Sequence, residues 1–449
     1  MKRMKLSTTH IIMLSFLCAI LAGSFLLSLP ISWADSVHVS YVDALFMATT
    51  SICVTGLVTL PTVSSWSVFG QIVIIILIQI GGLGVITIFS AIMISLHKRI
   101  GLKDRVLLQD AFNLNTLSGI VKFIRKVLIG TLIVEGVGAL LYMFVFVPEF
   151  GLKGIWISIF NSISAFCNAG IDIISENSLC EYASHPLINA VTCLLIILGG
   201  LGYIVWWDVI RVFKNFKNQR LKCFSKLTLH SKIVLVATFV LVVGGGVLFF
   251  ILEYNNPLMA DYSLFDKLQV ALFQSVTTRT AGFATIPQQD LSNASALLSL
   301  LLMFIGGSPV GTAGGVKTVT IVILAASALA TIQNKEDVVL FHRTISKKTI
   351  NKSIAVVSMS FAIVFISTFM LSIVSDANVL DILYETVSAT ATVGLTRNLT
   401  TSLNMWGKLI IITTMYLGRV GPISLAIAFG IKKQKVNNIK NPLEEISVG

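Results

Sequence analysis

The chain has 449 residues, 55% of them hydrophobic and 12% charged, with a mean hydropathy of +0.88. Soluble domains carry about 25% charged residues, so this composition excludes a soluble enzyme and predicts an integral membrane protein. The formal charge is +12, and its placement is informative: 26 of the 33 Lys and Arg precede the first apolar run, follow the last, or sit in connectors 97–126, 211–232 and 333–352. The positive-inside rule places those segments and both termini in the cytoplasm. The surroundings expected for the chain are membrane lipid, with no nucleic acid. On the same topology 13 of the 21 acids lie outside, among them Asp43, Asp172, Asp261, Asp376 and Asp381. Either they draw cations to the outer face or they simply avoid the inside. The Cys residues, Cys18, Cys53, Cys167, Cys180, Cys193 and Cys223, show no C-x-x-C or Cys/His spacing, so neither a disulfide framework nor a zinc site is expected.

In chain order, Ile11–Leu29 is an apolar run long enough to cross a bilayer. Lys2, Arg3 and Lys5 before it, and Ser32-Trp33-Ala34 after it, could also be read as a cleaved leader. Tyr41–Ile52 is too short to span. A strip Cys53–Leu57 follows, and then the uncharged run Val68–Leu96. The same order returns: Val127–Val147 spans, Ile155–Phe166 is short, Cys167–Ile171 is a strip, and Leu187–Trp207 spans. A third round reads Ile233–Leu252, Leu264–Thr277, Thr278–Phe283 and an apolar stretch Leu291–Ile332. A fourth reads Ile354–Val374, Val379–Thr390, Ala389–Leu395 and Leu409–Ile431. The expected architecture is all-α: four tandem helix–pore-loop–helix repeats, 1–97, 98–212, 213–333 and 334–431, around one pseudo-fourfold pore, with a cytoplasmic tail at 432–449.

The strips carry the strongest signal. Gly56, Gly170, Gly282 and Gly394 are spaced 114, 112 and 112 residues apart. They end Cys53-Val54-Thr55-Gly56, Cys167-Asn168-Ala169-Gly170, Arg279-Thr280-Ala281-Gly282 and Ala391-Thr392-Val393-Gly394. An aromatic stands ten residues earlier in three copies (Phe46, Phe160, Tyr384) and nine earlier in the third (Phe273). Ser51, Ser164, Ser275 and Ser388 lie near the ends of the short helices. Irregular backbone at membrane depth is tolerated only where it is buried in protein or lines an aqueous path. Carbonyls from several strips facing one axis can replace the hydration shell of a cation, and glycine permits the required dihedrals. The C-terminal ends of short helices aimed at the cavity beneath add negative potential. The expected ligand is therefore a potassium ion held by backbone carbonyls, in a filter less symmetric than one of four identical strands. Arg279 lies inside a strip, and a cation path does not accept it pointing inward. It is expected behind the strip, on Glu385 or Asp266.

Leu291–Ile332 contains one charge, Lys317, and is too long for one span. Its middle, Gly306-Gly307-Ser308-Pro309-Val310-Gly311-Thr312-Ala313-Gly314-Gly315, cannot remain helical. It reads as a broken helix with a flexible loop under the filter, or as a kinked helix packed closely on small residues. Arg419, in Leu417-Gly418-Arg419-Val420-Gly421-Pro422, is a mid-span charge and hence a functional candidate, or else pairs with a buried acid. Glu135 is read as a structural or interface group, and Lys317 as a partner of carbonyls at the break or an aid to gating.

The whole of residues 6–431 resembles the Ktr/Trk/HKT superfamily of potassium transporters, and within it the membrane subunits of bacterial Ktr systems (KtrB or KtrD type). The resemblance rests on the four strips and on Gln79-Ile80-Gly81-Gly82-Leu83-Gly84 and Leu198-Gly199-Gly200-Leu201-Gly202. It implies potassium selectivity from glycine at all four filter positions, an intramembrane gate at Gly306–Gly315, and Arg419 beneath the filter beside that gate. It also implies a homodimer with one pore per protomer and a separate cytosolic ring of RCK subunits (KtrA or KtrC type) that binds ATP or ADP. The chain itself has no G-x-x-x-x-G-K-[ST] or G-x-G-x-x-G, so no cofactor is expected beyond the transported potassium. Sodium is kept as a candidate coupling ion, because broken helices also build the sites of secondary transporters. No G-x-S-x-G or H-E-x-x-H supports an enzyme.

Overall fold

The computed structural model describes residues 8–85 except 36, then 87, 88, 90, 101, 106, 108, 119–214 and 223–421. The basic cluster Lys98, Arg99, Lys103 and Arg105, and the end of the last apolar run and the tail from residue 422, lie outside the described residues.

Among the described residues four helices are long and apolar enough to cross a membrane: a span from His10 to Leu27 within Thr8–Leu27, then Ile120–Phe150, Leu229–Glu253 and Lys347–Val374. Side-chain oxygens start several helices. Ser40 accepts from Asp43 N, Thr228 from Ser231 N, Ser263 from Asp266 N and Ser346 from Thr349 N, satisfying amides that have no partner inside the helix. The outward faces are apolar, with Leu132, Phe144, Phe239, Phe361 and Phe365 all exposed. Apolar surface on this scale is stable against lipid tails rather than water.

Inside this shell lie four shorter helices, Tyr41–Cys53, Leu152–Cys167, Leu264–Thr277 and Val379–Ala391. At 13 to 16 residues and about 1.5 Å of rise each they do not cross the ~30 Å hydrocarbon layer. Phe46, Phe160, Phe273 and Tyr384 are fully buried and anchor them. Each short helix packs against the long helix before it in the chain. The first and last rounds are joined by an ion pair, Lys408 Nζ to Asp43 Oδ1 at 2.6 Å.

Two features differ from the sequence expectation. The runs 68–96, 187–207 and 409–431 are not continuous helices. They stop or bend at single glycines: Val68–Leu83 ends at Gly84, Pro186–Leu201 turns through 98° into Tyr203–Lys214 at Gly202, and Met405–Val420 ends at Gly421. All three glycines have φ near +88°, reachable at little cost only without a Cβ. The break expected in the third round alone is thus one of several, and there it is longest, between Asn293–Phe304 and Thr318–Ile332. The fold is also not purely helical. Val339–Leu340 pairs antiparallel with Arg343–Thr344 across Phe341 and His342, both at positive φ as a tight hairpin turn requires.

Candidate functional site

The four strips meet in cyclic order. A Cβ built on Gly56 would fall under 3.0 Å from the Ala169 carbonyl oxygen, one on Gly170 from that of Ala281, one on Gly282 from that of Val393, and one on Gly394 from that of Thr55. Each glycine therefore leaves room for the carbonyl of the residue before the next glycine, and the fourth strip closes on the first. Two residues before each glycine the backbone is left-handed: Val54, Asn168, Thr280 and Thr392 have φ of 54°, 59°, 65° and 53°. Left-handed Val and Thr are strained, by about 1–3 kcal/mol each, and persist because the surroundings fix them. The amides of Thr55, Ala169 and Val393 donate to the carbonyls of Thr50, Ser164 and Ser388 at 2.8 Å, and that of Ala281 to Thr277 at 3.0 Å.

Hydroxyls brace the strips from behind. Thr50 Oγ1 accepts from Gly56 N and Ser388 Oγ from Gly394 N, both at 3.0 Å, and Ser164 Oγ accepts from Ile171 N at 3.1 Å. These residues stand six before their glycines. The sequence reading chose Ser51 in the first copy, but Ser51 bonds back to Met47 O within its helix. The third copy has Val276 at this position, and Thr277 Oγ1 donates to Phe283 O at 2.6 Å instead. A register counted from the glycine would have found Thr50.

The third strip is the exception in charge as well. Arg279 is buried at 6% exposure and points behind the strip, with Nη2 3.5 Å from Thr238 Oγ1 on the long helix. The expected carboxylate partners are engaged elsewhere, Glu385 with Thr396 and Thr400, and Asp266 with Ser263. Glu135 accepts from Gln79 Nε2 at 3.2 Å and lies near the Cys167 thiol, joining three helices. Of the outer acids, Asp43 is paired with Lys408 and Asp381 with Arg397. Asp172, just outside Gly170, accepts from Ile174 N, and burial pushes its carboxyl up to about 6.

Beneath the ring, the loop between Phe304 and Thr318 is folded back on itself. Gly306 N donates to Val316 O at 2.9 Å and Gly307 N to Gly314 O at 3.3 Å. It docks on the glycine bend of the second round, with Ser308 N and Thr312 N donating to the carbonyls of Gly200 and Gly199, and Tyr203 N to Val310 O. It also reaches the strips. Thr312 Oγ1 lies 3.0 Å from Phe166 O and 3.1 Å from Asn168 Oδ1, and Gly314 N donates to Thr280 Oγ1 at 3.3 Å. Gly314 sits against Thr392, where a Cβ would collide with Oγ1. Arg419 Nη1 donates to Thr312 O at 2.7 Å and Nη2 to Gly81 O at 2.6 Å, with no acid beside it among the described residues. Lys317 Nζ donates to Ala313 O at 2.7 Å and Gly314 O at 3.3 Å. Two half-buried cations thus fasten the loop through its own carbonyls.

Four glycine strips packed in cyclic order inside a shell of long apolar helices define a membrane protein. The chain belongs to the TrkH family of cation transport proteins, whose pattern matches residues 8–440. It is 38% identical to the Ktr system potassium uptake protein B of Bacillus subtilis, over 100% of this chain and 98% of that one. It is 37% identical to the potassium/sodium uptake protein NtpJ of Enterococcus hirae, over 100% and 98%. Its fold matches the crystal structure of the potassium transporter TrkH from Vibrio parahaemolyticus with a TM-score of 0.75 and 18% identity, covering 96% of this chain and 86% of that one.

Proposed function

We propose that the chain is the membrane subunit of a bacterial potassium uptake system. Potassium crosses a filter made of Cys53–Gly56, Cys167–Gly170, Arg279–Gly282 and Ala391–Gly394, contributed by four helix–pore-loop–helix repeats around one axis. The observation that carries this reading is the cyclic order of the strips, in which Thr55, Ala169, Ala281 and Val393 each present a carbonyl beside a neighbouring glycine. The loop Gly306–Gly315 closes the path below, held by Arg419 and Lys317. These charges also repel a cation entering from beneath. Uptake runs inward because the membrane potential drives each cation by about 2.3 kcal/mol per 100 mV. The protein acts as a homodimer, and a cytosolic RCK ring binding ATP or ADP acts on the gate from the cytoplasmic side. The names of the Ktr relatives support the potassium and subunit assignments. The test is rubidium uptake and low-potassium growth in cells stripped of their own potassium uptake systems. Growth rescue with saturable uptake supports the reading. No uptake, even with an RCK subunit co-expressed, overturns it.

A second reading, sodium-coupled potassium entry, is favoured by one observation, the similarity to a protein named for both ions. A strict dependence of rubidium uptake on external sodium, with sodium entering in fixed ratio, selects it.

A further inference from the structure

The contact between Thr312 and the second strip has a consequence for the open state. The Thr312 hydroxyl has one proton but faces two oxygens, Phe166 O at 3.0 Å and Asn168 Oδ1 at 3.1 Å. Phe166, Asn168 and Thr312 are all buried at 1% exposure or less. The amide of Asn168 is oriented from its other end, where Nδ2 lies 3.5 Å from Arg279 O. The Phe166 carbonyl belongs to the last turn of Leu152–Cys167, where helix carbonyls lack an intrahelical partner and the dipole is negative. Two oxygens of partial negative charge therefore converge on one point that a gate-loop hydroxyl fills. This convergence has no counterpart in the other strips. The residue two before the glycine is Val54 in the first, without an oxygen, and a short hydroxyl in Thr280 and Thr392.

We propose that Asn168 Oδ1 and Phe166 O form a monovalent-cation site beneath the glycine ring that opens only when the loop withdraws, with the Thr312 hydroxyl occupying it in the closed state. The proposal rests on reading the loop as a gate. When Thr312 leaves, neither oxygen has a donor, and a buried acceptor without one costs about 1–3 kcal/mol. A cation that has shed part of its water satisfies both at once, since it needs oxygens to replace its shell. Loop and ion compete for the same oxygens, so occupancy by the ion opposes reclosure.

The test measures the concentration dependence of rubidium uptake in a chain lacking residues 311–315, where Thr312 is absent and any role of Asn168 as its mere acceptor is gone. In that background Asn168→Leu should raise half-saturating rubidium by about fivefold, the loss of one ligand oxygen. Asn168→Asp, which keeps an oxygen, should remain within about twofold of the parent or bind more tightly. Asn168→Ala repeats the measurement if the Leu variant does not reach the membrane. Unchanged half-saturation in both apolar variants overturns the site and leaves Asn168 as a latch for Thr312. A Leu-like shift in the Asp variant overturns it as well, since the oxygen then does not matter. If the deletion itself fails to raise uptake above the intact chain, the loop is not a gate, and it is the functional reading that fails first.

Discussion

The glycine ring and the glycine-rich loop beneath it are made of similar residues at membrane depth and are secured in opposite ways. In the ring, every glycine is hemmed by backbone, each strip is tied by an amide to its short helix, and in three of the four strips a hydroxyl six residues before the glycine braces it from behind. Nothing there can shift without moving the helices. In the loop, the bonds that fix position come from a few side chains, Arg419, Lys317, Thr312 and Thr280, plus the backbone of Gly199, Gly200 and Tyr203. Removing a handful of bonds frees it. Glycine serves close approach in the first case and removable packing in the second. The proposed function needs both, one part that keeps its geometry while ions pass and one that gives it up.

The contrast can be broken at the ring first. Gly394→Ala places a methyl group where the Thr55 carbonyl stands, and the left-handed φ of 98° is hostile to it. Rubidium uptake should fall by more than about tenfold, as a carbonyl displaced from its place costs upward of 1.4 kcal/mol, while protein level in the membrane stays measurable by immunoblot. Retained uptake would mean the ring is not the path. In the loop the sign reverses: removing residues 311–315 should raise basal uptake about tenfold by withdrawing the fastened segment. Arg419→Gln severs two charge-assisted bonds, each worth about 1.5–3 kcal/mol, and should raise basal uptake several-fold without loss of discrimination against sodium. Lys317→Met should do the same more weakly, because its two carbonyls belong to the loop itself. The smallest effect is expected at the outer mouth. Asp172 has its carboxyl raised to about 6 by burial, so its charge is present above that pH and lost below it. Uptake at low rubidium should decline as external pH falls from 7.5 to 5, by about threefold at most, and Asp172→Asn should flatten the profile at the lower level.

Much of the fold was legible because lipid imposes strong rules. The short helices were located to within three residues at each end, since turn residues and strips bound them. Leu264–Thr277 coincides at both ends. The breaks at Gly84, Gly202 and Gly421 were hidden, because hydropathy reports side chains and a left-handed glycine inside an apolar run changes only backbone. Their signal was the recurrence of Gly-Gly-Leu-Gly and Gly-Arg-Val-Gly at matching places. Lys317 was legible as a carbonyl donor at the break, while Arg419 was read from its mid-span charge as a functional candidate or the partner of a buried acid, and the structure supplies the carbonyls of Thr312 and Gly81. The partner of Arg279 was misjudged in the same way: a carboxylate was sought, and the structure supplies the hydroxyl of Thr238. The Lys408–Asp43 pair, 365 residues apart, left no local trace.

The most direct test of the ring as a selectivity filter is rubidium uptake with sodium competition, measured side by side for the parent chain and Gly56→Ser. The serine Cβ would press on the Ala169 carbonyl, a member of the ring, from a backbone at φ 98°. The account predicts that the parent excludes sodium and that the variant still carries rubidium but lets sodium compete and enter. Identical discrimination in the two proteins would contradict it, because the Ala169 carbonyl could then be moved without consequence for the ion.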